Sequence, residues 1–161
     1  MLVISDTSPI SNLLLVRQLE LLQCLFGEVV VPPVVDAEVR RLKDLGEDTS
    51  AYEQSTWIKV QSPSSASWVE HFLLSLDEGE SEAIALAKEI HCDLLLIDER
   101  RGTHIARSQG LQTIGLLGVL SKAKEKGLIK SVGSLLEDLE SLAGFWVGAK
   151  LKAEFLSDHN E

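Results

Sequence analysis

A chain of 161 residues has room for one domain with a real core and not for two ordinary ones. Apolar residues make up 45% and charged residues 25%, which excludes a disordered polar chain, and 25 acids against 15 Lys and Arg leave a formal net charge of −10. Nucleic-acid binders are usually basic, so this balance speaks against tight unaided binding of a polyanion; it fits either a surface with no polyanionic ligand or a site where divalent cations supply the positive charge.

In chain order, residues 2–5 form an apolar run that ends at Asp6 and reads as a strand. Residues 8–26 carry Ile10, Leu13, Leu14, Leu21, Leu22 and Leu25 at helical spacing and close at Gly27, so a single helix is expected, with Pro9 in its first turn. Val29-Val30-Val31 is a second strand, and Pro32-Pro33 opens a helix holding Val35, Glu38, Val39 and Leu42. Residues 43–56 are polar and read as loop with some helix, 57–60 as an edge strand, and 61–67 as a Ser-rich loop. A strong helix follows at 79–90, then a leucine-rich strand at 93–97 ending at Asp98. A helix at 102–109, a strand at 112–114 and a helix at 118–126 come next. Leu135, Leu136, Leu139 and Leu142 mark another helix, followed by Phe145-Trp146-Val147 and a closing amphipathic helix.

The apolar N-terminus lacks a basic start and is soon interrupted by acids, so neither a signal peptide nor a membrane span is expected, and the protein is read as cytoplasmic. Cys24 and Cys92 form no CxxC pair and have no histidine at metal spacing; they read as buried, reduced thiols.

Short apolar strands alternating with helices imply an α/β fold with a mainly parallel sheet. Ligands of such sheets bind beyond the carboxyl ends of the strands. Asp6 and Asp98 each follow a predicted strand and so emerge on the same edge. Glu38 lies on the apolar side of its helix, with Val35, Val39 and Leu42. In the segment GESEAIALAKEI, Glu80 shares a face with Ala83, Ile84, Ala87 and Ile90, whereas Glu82 sides with Leu86 and Glu89. Glu80 is thus the acid directed along the buried face, at a helix start whose dipole favours a carboxylate. Each acid alone has an ordinary explanation as a helix cap or a first-turn charge. Together they are harder to explain that way: two carboxylates about 5 Å apart repel by roughly 3 kcal/mol at an effective dielectric of about 20. An all-oxygen set selects Mg²⁺ or Mn²⁺, and the absence of His and Cys ligands disfavours zinc.

The segments IxDTSPIxNL, VPPxVxxEV, LDEGESEAIALA, LLLIDERRGTHIA and TIGLLGVLSKAKEKGLI, in this order, resemble PIN-domain proteins, in particular stand-alone prokaryotic forms related to the toxins of VapBC-type toxin–antitoxin modules. The likeness runs from about residue 2 to 145, leaving 146–161 as a helical extension of a single domain spanning 1–161. It implies a three-layer α/β/α sandwich and Mg²⁺- or Mn²⁺-dependent cleavage of RNA. It also implies an antitoxin partner and a homodimer. The family's acids fall on Asp6, Glu38, Glu80 and Asp98; the GESEA spacing also admits Glu82, and Glu99 is an outer-ligand candidate. Thr7 and Ser8 match hydroxyl residues that support the first acid. One or two bound cations would lower the pKa of a coordinated water for in-line attack on phosphorus. His71, His91, His104 and His159 lie outside these motifs, while Arg100, Arg101 and Arg107 flank the Asp98 edge, either as phosphate contacts or as ion-pair partners of nearby acids. A haloacid-dehalogenase phosphatase would need an acid at position 8, where Ser8 stands, and a receiver domain would need paired acids in the first loop. The remaining alternative is a PIN-like module that binds RNA or protein without cutting.

Overall fold

Segments of only two or three residues make the strands, and the central ones, such as Val29–Val31 and Leu94–Leu96, stand in a parallel sheet because both of its faces are covered. The computed structural model describes residues 1–161. In chain order it contains β1 (Val3–Ser5), α1 (Thr7–Leu15), α2 (Glu20–Phe26), β2 (Val29–Val31), α3 (Pro33–Arg40), a 3₁₀ turn (Arg41–Leu45), α4 (Ser50–Glu53) and β3 (Ile58–Val60). Next come α5 (Ala66–Leu73), α6 (Glu78–Glu89), β4 (Leu94–Leu96), α7 (Arg100–Ser108), β5 (Thr113–Ile114), α8 (Leu116–Glu125), α9 (Val132–Ala143) and α10 (Ala149–Asp158).

The sheet order is β3-β2-β1-β4-β5, with every pair parallel. Side chains alternate across it: Val3, Val29, Val31 and Leu96 join one apolar layer with α1, α2, α8 and α9, while Ile4, Val30, Leu95 and Ile97 join the other with α5, α6 and Ala106 of α7. This is the expected three-layer α/β/α sandwich. From β1 the chain winds outward through β2 to β3, and then returns to place β4 on the other side of β1. The order of winding reverses between β1 and β4, which makes that junction the natural ligand crevice. No helix is long and apolar enough to cross a membrane.

Three expectations need correction. The single helix at 8–26 is two helices, broken at Arg17, whose φ is +58°. There the Gln18 amide donates to the Leu13 carbonyl at 2.8 Å and the Arg17 amide to the Leu14 carbonyl at 3.1 Å, a Schellman closure built without glycine. The second correction is α5, which begins at Ala66 within the expected Ser-rich loop, with Ser65 capping it through a bond from the Trp68 amide at 3.3 Å. The third concerns the thiols: Cys24 is exposed and Cys92 only half-buried. Burial still pushes the Cys92 thiol up, to about 11.

The break at Arg17 gives a direct prediction. A side chain in the left-handed region costs about 1–2 kcal/mol, partly offset by the greater unfolded-state freedom of glycine. Arg17→Gly is therefore expected to stabilise the protein by about 0.5–1 kcal/mol, read as a higher urea midpoint at unchanged slope. A lower midpoint would show that the arginine side chain contributes more than its backbone strain costs.

Candidate active site

Two strand ends, two helices and one loop bring acids to the β1–β4 crevice. Asp6 directly follows β1, and its amide donates to the Leu96 carbonyl of β4 at 2.9 Å, which locks the residue onto the neighbouring strand. Its side chain is only 6% exposed. It is the residue before α1 but makes no side-chain capping bond, so helix capping does not account for it. Burial pushes its carboxyl up to about 7; the Thr7 amide pulls the other way, and the charges of Asp77, Glu38 and Asp98 raise it further. Those last contributions show that all three acids lie within electrostatic reach.

Glu38, half-buried on α3, accepts a hydrogen bond from the Thr7 hydroxyl. Gly79 shows how closely the acids gather: a Cβ there would lie 3.3 Å from Asp6 Oδ1 and 3.1 and 3.3 Å from the two Glu38 oxygens. Glu80 is 5% exposed, as the helical phase requires. Its amide donates to Asp77 Oδ1 at 2.8 Å, and its Oε1 accepts from the Asp77 amide at 3.4 Å. This reciprocal pair closes the start of α6 as a capping box. Glu80 Oε2 is buried without a partner. Burial, together with Asp77 and Asp6, pushes the Glu80 carboxyl up to about 8. Asp98 Oδ1 accepts from the Leu116 amide at 2.6 Å, so Asp98 secures the start of α8 rather than of α7. Its Oδ2 is also buried without a partner, and burial raises its pKa.

Asp6, Glu38, Glu80 and Asp98 thus occupy one crevice. Glu82 turns instead to the start of α3, where Oε2 accepts from the Val34 amide at 3.3 Å. Glu99 precedes α7, is exposed, and makes no capping bond. Thr7 reaches Glu38 rather than Asp6, and no hydrogen bond joins the Ser8 hydroxyl to the acids. Asp77 is an acid of this crevice that the sequence analysis did not single out; the pattern Asp-x-x-Glu ahead of an apolar helix carries the signal.

No three of these side chains stand ready to grip one ion. The reason is visible in their partners. Each carboxylate is held by a donor of the protein: Glu38 by the Thr7 hydroxyl, Glu80 by the Asp77 amide, Asp98 by the Leu116 amide. The orphaned Glu80 Oε2 and Asp98 Oδ2 are buried acceptors in need of a cation or a proton. An all-oxygen donor set with two orphaned oxygens fits Mg²⁺ or Mn²⁺. A surface groove of about 660 Å³ lies between α1, α2 and α4, away from these acids, and includes Leu14, Arg17 and Leu142.

Gly102, in the first turn of α7, lets that helix close over the pocket. A Cβ there would clash with Glu80 Oε2 and lie 2.8 Å from Ile97 Cδ1. Gly102→Ala is expected to destabilise by about 1–3 kcal/mol despite its better helix propensity, because a packed neighbour must move. Chemical denaturation measures this; an unchanged midpoint would mean that Glu80 swings away freely.

A family model described as PIN domain matches residues 2–161. No curated protein matches the chain. Among solved structures, the chain is similar to a PilT N-terminus domain protein from the hyperthermophilic archaeon Sulfolobus solfataricus P2. The two are 20% identical with a TM-score of 0.50, covering 76% of this chain and 93% of that one, a likeness that shows the fold.

Proposed function

Because this chain belongs to the PIN-domain family, a family of nuclease-like modules, we propose that it is a metal-dependent ribonuclease working at the β1–β4 crevice. The observation that carries this reading is the pair of buried, partnerless carboxylate oxygens, on Glu80 and Asp98, beside an Asp6 whose carboxyl is pushed up to about 7. A fold that keeps so many acids together at a strand-end crevice is built for a cation.

Asp6, Glu38, Glu80 and Asp98 would hold Mg²⁺ or Mn²⁺, which when bound supplies positive charge at the phosphate and acidifies a coordinated water. Asp6 is rigid, because its own amide is tied to β4. Thr7 holds the Glu38 carboxylate in place until a stronger partner takes it. Asp98 is fixed by the first amide of α8, which leaves Oδ2 without a partner. Asp77 holds one oxygen of Glu80 through the capping box and leaves the other available. Asp6 and Glu80 are nearly buried, and charge interactions are stronger where water is excluded.

The test is cleavage of single-stranded RNA by the purified chain with Mn²⁺, beside the same reaction in excess EDTA and the Asp6→Asn variant. Cleavage that EDTA and Asp6→Asn both remove supports the reading. Equal cleavage by wild type and Asp6→Asn would place the chemistry elsewhere, and Mn²⁺ binding without cleavage of any RNA would make the chain a binding module.

A further inference from the structure

α7 breaks a local rule at the mouth of the crevice. Its segment, RRGTHIARS, holds three arginines and no acid, and no other helix of the chain carries three cations. Arg100 and Arg101 stand in the first turn, where the helix dipole favours acids and opposes cations. Ion pairing does not compensate them. Only four ion pairs form in the protein, and none involves Arg100, Arg101 or Arg107. Arg107 is steadied by a bond from Nε to the Thr113 hydroxyl at 2.8 Å, an uncharged partner that leaves its positive charge unneutralised.

The helix sorts its faces cleanly. Gly102 and Ala106 are buried, with Gly102 against Glu80, while Arg100, Arg101, His104 and Arg107 are exposed. The stripe begins two residues after Asp98 and, at about 1.5 Å per residue, runs for about 10 Å away from the crevice. On a chain with a net charge of −10, three uncompensated arginines on one face beside the acids mark a place kept for an anion from outside.

We propose that the outer face of α7 is the track along which the phosphate backbone of single-stranded RNA lies as it enters the acidic crevice. This rests on the reading of the chain as an RNA-cutting nuclease and adds the surface that guides the substrate. The strand is single because the acids it must reach are nearly buried: Asp6 is 6% and Glu80 5% exposed. A flexible strand can press one phosphate into such a recess, and a stiff duplex cannot. The arginines also answer the difficulty raised by the net charge, since steering needs only a local positive face.

The experiment measures the affinity of a fluorescent, unstructured RNA oligonucleotide across a salt series in Mn²⁺. It is done in the Asp6→Asn background so that the RNA stays intact, with and without R100Q/R101Q/R107Q. Losing three phosphate contacts is expected to weaken binding at least tenfold and to flatten the log–log salt slope by about 2, at about 0.7 per contact. The triple lysine variant is expected to stay within about threefold of the parent, because a phosphate track reads charge. Parallel Mn²⁺ titrations in the unmutated background are expected to be the same with and without the glutamines. An unchanged affinity and slope, while wild type cleaves RNA and Asp6→Asn does not, would overturn the track and leave the nuclease reading standing. A wild-type chain that binds and cuts no RNA in Mn²⁺ would overturn both.

Discussion

Asp6→Asn is expected to remove cleavage and, above neutral pH, to make the protein more stable. The two effects share one cause. Asp6 is nearly buried and surrounded by Asp77, Glu38 and Asp98, so its negative charge is costly in the metal-free fold. A rise from 3.8 to about 7 corresponds to roughly 1.4 kcal/mol per pH unit of lost favour for the charged form; after local relaxation, a gain on the order of 1–3 kcal/mol is expected at pH 8. The same charge is what a bound cation needs. Even residues that only support a metal ligand typically cost about 10–100-fold when removed, so loss of a ligand itself is expected to lower Mn²⁺-supported cleavage by on the order of 10² or more. Cleavage assays and thermal melts at pH 8 check both halves. Inactivity combined with a lower melting temperature would refute the electrostatic account, since the variant would then be failing to fold.

The second large effect is a stability curve that falls with rising pH and that divalent cations flatten. Asp6 and Glu80 have folded pKa values near 7 and near 8, above their ordinary 3.8 and 4.5. The folded state therefore holds protons that the unfolded chain has already released. The stability due to this pair is fully present below about pH 4 and is lost as pH rises to about 8. Glu161 works in the opposite direction. Its carboxylate accepts from the Ser131 hydroxyl at 2.6 Å and from the amides of Val132 and Gly133, which holds it down to about 2. Its contribution is present above pH 4.5 and is lost as pH falls toward 2. Stability in EDTA is thus expected to peak near pH 5 and to fall by roughly 2–4 kcal/mol by pH 8.5, or about 5–10 °C for a chain of this size. Mn²⁺ at about 100 times its dissociation constant adds about 2.7 kcal/mol at pH 8.5 and much less at pH 5, where protons compete for the same oxygens. Melting curves at the two pH values, with and without Mn²⁺, give four numbers. A flat curve in EDTA, or a Mn²⁺ effect equal at both pH values, would sink the linkage.

The part of this protein that could be read from sequence is the part governed by short-range pattern. Apolar runs ending at Asp6 and Asp98 gave two parallel strand ends, and their common edge followed from strand direction alone. Helical phase separates Glu80 from Glu82 in the sequence, and Glu82 is the half-buried one of the two, although nearly all of α6 from Gly79 to Ala87 is buried, more than an amphipathic pattern implies. The break at Arg17 was hidden because it uses an arginine in a conformation that glycine normally announces. Asp77 caps α6, a role its Asp-x-x-Glu pattern signals, but its nearness to Asp6 depends on how α6 packs over β1. The donor that holds each carboxylate comes from a distant segment, as Thr7 does for Glu38 and Leu116 for Asp98, which local pattern does not record.

The central position of β1 has a consequence for the newly made chain. β1 can pair with β2 as soon as residue 31 exists, but its other partner, β4, lies some 90 residues further on: Val3 pairs with Leu94, and the Leu2 amide bonds Asp93 Oδ2 at 2.6 Å. Closing so long a loop is slow, and synthesis at about 5–20 residues per second delays it by a further several seconds. Asp6 therefore waits, facing solvent, until Asp98 has left the ribosome. The crevice is thus a late product of synthesis: its four acids share one site only after β4 has emerged and paired with β1.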